Sequence, residues 1–228
     1  MINLPTQTPV FQMYECQNPD CGLRMPTNLS VGMVEKCPFC KNGMKPVGEP
    51  FQNTLPPGDD THSNTPKIQI LLDNLRSVFN VGAVFRTANG SAVEHIYCCG
   101  TTPTPEHPKF IKSGLGADET IPWTYARNGL EIVKSAIAQR FKVVSLEISS
   151  DSHSIFGFFQ HTTLQDKVLL VVGNEVSGID PGILELSDFR VHIPMLGLKT
   201  SLNVSIAAAL AMYAFRFQLV STQDIKNP

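Results

Sequence analysis

Apolar positions along the chain follow two rhythms. Five short runs rich in Val, Ile and Leu, "KIQILLDNL", "VEHIYCCG", "RFKVVSLEI", "KVLLVVGNE" and "FRVHIPM", have the length and composition of strands. Between them, "FNVGAVFRTANGS" predicts a helix ending near Gly90, Asn128 to Gln139 a second, and Gly182 to Glu185 a short helical stretch. Ser154 to Phe159 reads as a turn or short helix. Strands that are apolar at nearly every position need cover on both faces. Their alternation with helices predicts an α/β domain of about 155 residues on a mostly parallel sheet. A last helix opens at Ser201 within "IPMLGLKTSLNVSIAAALAMYAFRF", Ile193 to Phe217. Its apolar character rests on alanines and is interrupted by Ser205 and Arg216, so it predicts a buried helix and no membrane span.

The first forty residues are patterned differently, punctuated by Cys, Pro and Gly. Cys16 and Cys21 form one pair and Cys37 and Cys40 another, with fifteen residues between the pairs. Two thiol pairs brought together across a hairpin close a tetrahedral zinc site, and Gly43 just after "CPFC" lets the chain turn around the metal. A disulfide pair or free thiols is the alternative. No apolar signal stretch precedes Pro5, which disfavours the disulfide and predicts an unprocessed cytoplasmic protein. The organisation expected is a four-Cys, zinc-ribbon-like domain over residues 1–46, a Pro, Gly and polar linker over 47–65, and the α/β domain over 66–228. Adjacent Cys98 and Cys99 point to opposite faces of one strand and belong to the core.

Composition changes this picture little. A net charge of -2 and a hydrophobic fraction of 42% over 228 residues suit one main domain plus a small one. Residues 1–65 carry four Lys or Arg (Arg24, Lys36, Lys41, Lys45) against six acids, and residues 66–228 carry fourteen against fourteen. That balance gives no general support for nucleic-acid binding, so an RNA partner would be held by a local patch.

There is no internal repeat and no G-x-G-x-x-G after the first strand, which leaves an ordinary dinucleotide fold little support. In open α/β sheets ligands gather beyond the carboxyl ends of strands. Three stretches read as loops there: Phe79 to Arg86, Gly173 to Gly178, and Met195 to Asn203. Gly173 admits a flat ligand closely, with Asn174 and Glu175 beside it; a tight turn with a surface carboxylate is the plainer reading. Gly197 frees backbone groups for the edge of an adenine, with Ile193, Met195 and Leu198 on its faces. Ser201 is either a helix cap or, with Asn203, part of a polar site. Arg86, six residues after Asn80 in an apolar segment, needs a carboxylate such as Glu175 or a phosphate. His95 and His192 read as core or edge strand residues, and no Ser-His-acid arrangement stands out.

"NVGAVFRTAN", "LLVVGNEVSGI" and "IPMLGLKTSLNVSIAAAL" resemble, in order and spacing, the three motifs of the SpoU/TrmH family of RNA ribose 2'-O-methyltransferases, over about residues 66 to 220. The resemblance implies a SPOUT-like fold with a C-terminal trefoil knot that binds S-adenosylmethionine, and a homodimer with its sites near the interface. It implies that Arg86 engages the target phosphate and helps activate the ribose hydroxyl, that Asn80 supports it, and that Glu175, Ser201 and Asn203 complete the site. The donor-binding set it implies is Val172, Gly173, Asn174, Ile193, Met195, Leu198, Ser201 and Leu202. "KFIKSGLGADE" is similar to a further family segment, with Lys112, Ser113 and Gly116 in a loop that touches RNA or shapes the site. The expected activity is 2'-O-methylation of tRNA or rRNA, and the alternative is a noncatalytic RNA-binding or assembly protein that keeps the knot.

Overall fold

The computed structural model describes residues 8–53, 66–158 and 167–217. They fall into two compact units that divide between positions 61 and 62. In the smaller unit β1 (Val10–Cys16), β2 (Arg24–Asn28) and β3 (Met44–Gln52) form an antiparallel sheet with β1 in the centre. Its core is Tyr14, Cys16, Cys37 and Met44.

The sheet continues through Gln52, which lies opposite Val10, so residues 47–52 are paired strand within the stretch expected as linker. The Pro and Gly content there belongs to an irregular edge strand. At a register shift between Phe11 and Met13 the Gln12 side chain donates to the carbonyls of Val47 (2.9 Å) and Gly48 (3.0 Å), and Gly48 takes a φ of 71°. The rings of Phe11 and Phe51 then stack at 5.9 Å. Residues 54–65 of the expected linker lie outside the described residues.

The larger unit runs β4 (Lys67–Asp73), α1 (Val78–Gly90), β5 (His95–Cys99), α2 (Ile111–Gly114), β6 (Trp123–Ala126), α3 (Gly129–Ala138), β7 (Lys142–Leu146), β8 (His153–Ser154), α4 (Ile155–Phe158), β9 (Lys167–Val172), α5 (Pro181–Leu186), β10 (Phe189–His192) and α6 (Val204–Phe217). The strands form one sheet in the order β6-β5-β4-β9-β7-β10-β8, and every adjoining pair is parallel.

Strand alternation sorts the core into two layers. Ile68, Ile70, Leu72, Val168, Leu170 and Val172 face α1, α4 and α6, whereas Leu71, Leu169, Val171 and Val143 face α3 and α5. Cys98 and Cys99 fall on opposite faces as expected, and burial pushes both thiols up to about 12. The two outermost strands, β6 and β8, were not anticipated. The first is half-exposed and without an apolar run, and the second has only two residues.

α6 is buried along Ala208, Ala211, Met212 and Phe215. Its buried Arg216 donates to the carbonyls of Ser91 (2.8 Å), Ala92 (2.6 Å) and Pro66 (3.1 Å), which ties α6 to the turn after α1 and to the start of β4. Among the described residues no helix is long and apolar enough to cross a membrane.

Candidate active site

Because all strands of the sheet are parallel, the loops at their carboxyl ends converge on one side. There the ends of β7, β9 and β10 and the start of α6 enclose a cavity of about 320 Å³. Val172, Gly173, Asn174 and Glu175 form one wall; Ile193, Met195, Ser201, Leu202 and Asn203 form another. Leu198 is not among the walls. It stands fully exposed, as does Leu196, on either side of Gly197.

Why β9 ends in glycine is visible in the turn that follows. A Cβ on Gly173 would lie 2.5 Å from the carbonyl carbon of Gly178 and from the Ile179 nitrogen. Asn174 and Gly178 exchange backbone hydrogen bonds of 3.0 and 3.1 Å, and the Asn174 side chain donates to the Asn74 carbonyl (2.6 Å) while accepting from the Val176 and Ser177 amides. The stretch is both a tight turn and a cavity wall. Gly173→Ala should therefore displace the Asn174–Gly178 turn and weaken ligand binding in the cavity at least tenfold, about 1.4 kcal/mol, as read by calorimetry.

The first of the three stretches is helical throughout, within α1. Glu175 sits on the orphaned amides at its start and accepts from Arg76 N (2.9 Å), Ser77 N (3.2 Å) and Asn80 Nδ2 (3.0 Å). The Asn80 Oδ1 in turn accepts from Asn203 Nδ2 (3.1 Å). Asn203, not Ser201, caps α6: its Oδ1 accepts from the Ser205 amide (2.9 Å) and hydroxyl (2.6 Å). A continuous polar chain, Glu175–Asn80–Asn203, thus joins the starts of two helices beside the cavity.

Burial alone would raise the Glu175 pKa, but the amides of Arg76 and Ser77 and the Asn80 side chain outweigh it and hold the carboxyl below its ordinary value. A carboxyl depressed in the folded state contributes stability above its unfolded pKa and loses it as pH falls through the folded value. Glu175→Gln should accordingly lower the melting temperature at pH 7 more than at pH 3.

Arg86 is not brought to this chain. Six residues along a helix place it about 240° around the axis from Asn80. It is exposed, and among the described residues it makes no ion pair; the expected alternative partner, Glu175, is occupied by amides. Lys112 is exposed on α2, and Gly116 follows with a φ of 81°. Ser113 lies where a side chain on Gly82 would sit, so the small residues of α1 let α2 approach.

Two further residues line the cavity: Glu147 after β7, which was not singled out, and His192, read from the sequence as a core or edge strand residue and found at the end of β10 facing the cavity. Their position at carboxyl ends of central strands was the available signal.

The four N-terminal thiols converge in the smaller unit. Their sulfurs all lie within 4.8 Å of one another, with Cys16 to Cys40 at 3.3 Å and Cys21 to Cys37 at 3.7 Å. Tetrahedral thiolate coordination at a metal–sulfur distance of about 2.3 Å separates sulfurs by about 3.8 Å, so the set fits a single ion. Without a metal the four thiols share their charge unequally: backbone amides of Cys40 and Phe39 hold the Cys37 thiol down to about 6, whereas, against the Asn18 amide, burial and the neighbouring thiols push Cys16 up to about 12.

Residues 67–213 match the SpoU rRNA Methylase family. The chain belongs to this family. Among SpoU relatives it is 28% identical over 147 residues to the 23S rRNA (guanosine(2553)-2'-O)-methyltransferase RlmP of Bacillus subtilis, covering 64% of this chain and 57% of that protein. It is 27% identical over 146 residues to the tRNA (guanosine(18)-2'-O)-methyltransferase of Aquifex aeolicus, covering 63% and 66%. The chain spans about 57% to 66% of the length of such curated relatives. Its fold is similar to that of an AdoMet-bound rRNA methyltransferase from Sinorhizobium meliloti, with a TM-score of 0.59 at 24% identity over 71% of this chain and 60% of that one.

Proposed function

We propose that this SpoU-family protein transfers the methyl group of S-adenosylmethionine to a ribose 2'-hydroxyl of tRNA or rRNA. The observation that carries the reading is the meeting of three separated stretches at one cavity: its walls come from Gly173–Glu175 and Ile193–Asn203, and Asn80 is hydrogen-bonded to both. Apolar walls at Ile193, Met195 and Leu202 beside exposed strand-end backbone suit a purine nucleoside. The names of the relatives, one acting on rRNA and one on tRNA, support a ribose 2'-oxygen as acceptor.

The donor, when bound, supplies a methyl group on a positively charged sulfur. What remains is orientation and electrostatics, which this chain's residues provide. Gly173 leaves room for close approach, and Asn80 and Asn203 present amides to the incoming ribose. Glu175 is a positioning residue that locks the Asn80 amide, and its retained charge suits a cationic donor. Arg86, exposed and unpaired among the described residues, engages the RNA phosphate and favours alkoxide character at the attacking oxygen. Protonated arginine is a poor base, so its contribution is its charge.

The reading includes a trefoil knot, supported by the course of the chain after β10. Ile193, Met195, Ser201, Leu202 and Asn203 line the cavity together with the turn after β9, and α6 then returns to lie on β4, β7 and β9. It includes structural zinc on Cys16, Cys21, Cys37 and Cys40. It also includes a homodimer, supported by an exposed stripe on α6, Ile206, Leu210, Tyr213 and Phe217, at helical spacing. Leu210→Glu should halve the mass seen by light scattering; a wild-type chain that is already monomeric would remove the dimer from the account.

The enabling experiment is calorimetric titration with S-adenosylmethionine, followed by transfer of a labelled methyl group to total RNA. Saturable binding and labelled RNA are expected. Binding without label in any RNA would leave a noncatalytic RNA-binding protein as the better reading.

A further inference from the structure

We infer that Glu147 and His192 form a recognition site for the vicinal ribose hydroxyls of the adenosyl group. The inference rests on the donor-binding reading above and assigns two residues that reading does not use. Both line the cavity, and they lie on neighbouring strand ends, because the Glu147 amide donates to the carbonyl of Val191 (2.9 Å), the residue before His192. Adjacent strands run about 4.8 Å apart, a gap that two vicinal hydroxyls can bridge.

The hydrogen bonds already made on these side chains determine what they still offer. Glu147 Oε1 accepts from the Ile148 amide and Oε2 from the Ile179 amide, both at 3.0 Å. A carboxylate oxygen accepts twice, so each keeps one acceptor site. Gly178 makes room for this carboxylate: a Cβ there would stand 2.5 Å from Oε2.

The Ser152 hydroxyl orients the His192 ring. The Ser152 hydroxyl has one proton, which goes to the Ser149 carbonyl (2.8 Å), and its oxygen also accepts from the Ser149 amide (3.1 Å). With the hydroxyl proton on the Ser149 carbonyl, His192 Nδ1, 2.8 Å from the same oxygen, donates to it. That leaves Nε2 with a free lone pair.

Glu147 and His192 thus present acceptors only. Such a pair selects a ligand group with two hydrogen-bond donors and no need of a donated proton. Of the groups on the adenosyl ligand, the ribose diol is the one attached to the purine, and His192 directly precedes Ile193, where the purine-binding wall begins.

The test is calorimetric binding of S-adenosylhomocysteine to the full chain, alongside its 2'-deoxy and 3'-deoxy counterparts and an analogue lacking the α-amino group. Wild-type protein should bind each deoxy analogue at least about tenfold more weakly, because an acceptor that the bound ligand covers loses its partner. Glu147→Gln and His192→Phe should each weaken S-adenosylhomocysteine by about tenfold and flatten the discrimination against the deoxy analogues. His192→Phe leaves the Glu147–Ile179 bond in place, so its effect is separate from loop positioning. Undiminished discrimination in both variants would overturn the inference, as would a lost response to the α-amino group in place of the hydroxyls. A wild-type protein that binds no S-adenosylhomocysteine would instead bring down the donor reading on which the inference stands.

Discussion

Arg86→Ala should slow methyl transfer about 10²–10³-fold, the usual cost of removing one charge-stabilising donor from a transition state. Fold and donor affinity should be unchanged. The reason lies in its surroundings: Arg86 is exposed on α1, makes no ion pair among the described residues and does not line the cavity. Substitutions at such surface positions typically change stability by less than about 0.5 kcal/mol. The loss should appear in kcat, with S-adenosylmethionine binding as in the wild type. Arg86→Lys should recover part of the rate, since it keeps the charge and loses the planar fork suited to phosphate. An unaltered rate in Arg86→Ala would remove this residue from the chemistry, and a fall in melting temperature would make its role structural.

Stripping metal from the smaller unit should unfold it while the larger unit stays intact. A three-stranded sheet whose core is Tyr14, Cys16, Cys37 and Met44 buries too little apolar surface to stand alone. Structural zinc contributes on the order of 10–16 kcal/mol in zinc-finger peptides, enough to decide the fold of a unit this small. Near-stoichiometric zinc should be found by elemental analysis. After chelation, or in Cys37→Ser, proteolysis should cut within residues 8–53 first while one thermal transition persists for the larger unit. Metal-free protein that resists proteolysis there would refute the four-thiol zinc site.

The fold was most legible where burial on both faces writes itself into composition. "KVLLVVGNE" reads as a strongly apolar strand, and β9 lies in the middle of the sheet between β4 and β7. The caps of α3 also fall where the sequence placed them, at Asn128 and Gln139. Edges were harder, because β6 and β8 bury little and leave little pattern. Composition misled at residues 47–52, where Pro and Gly that suggest a linker instead shape an irregular strand.

In the site, the motif stretches themselves were readable, and Gly173, Asn174, Glu175 and Asn203 come together. The pairing was not readable. Sequence spacing leaves Glu175 free to meet Arg86, whereas three-dimensional packing gives it the amides of Arg76 and Ser77 and the Asn80 side chain. Asn203 takes the capping role that Ser201 could have filled because α6 begins at Val204, one residue after Asn203, and its side-chain amide also reaches Asn80. Glu147 and His192 carry no motif and become visible only when β7 and β10 lie side by side.

The central claim is the position of the transferred methyl group. Labelled RNA from a reaction with S-adenosylmethionine, digested to nucleosides and resolved by mass spectrometry, reads that position directly. The account predicts a single 2'-O-methylnucleoside, with the added mass on the ribose fragment and its rate of formation reduced about 10²–10³-fold in Arg86→Ala. Added mass on the base fragment would contradict it.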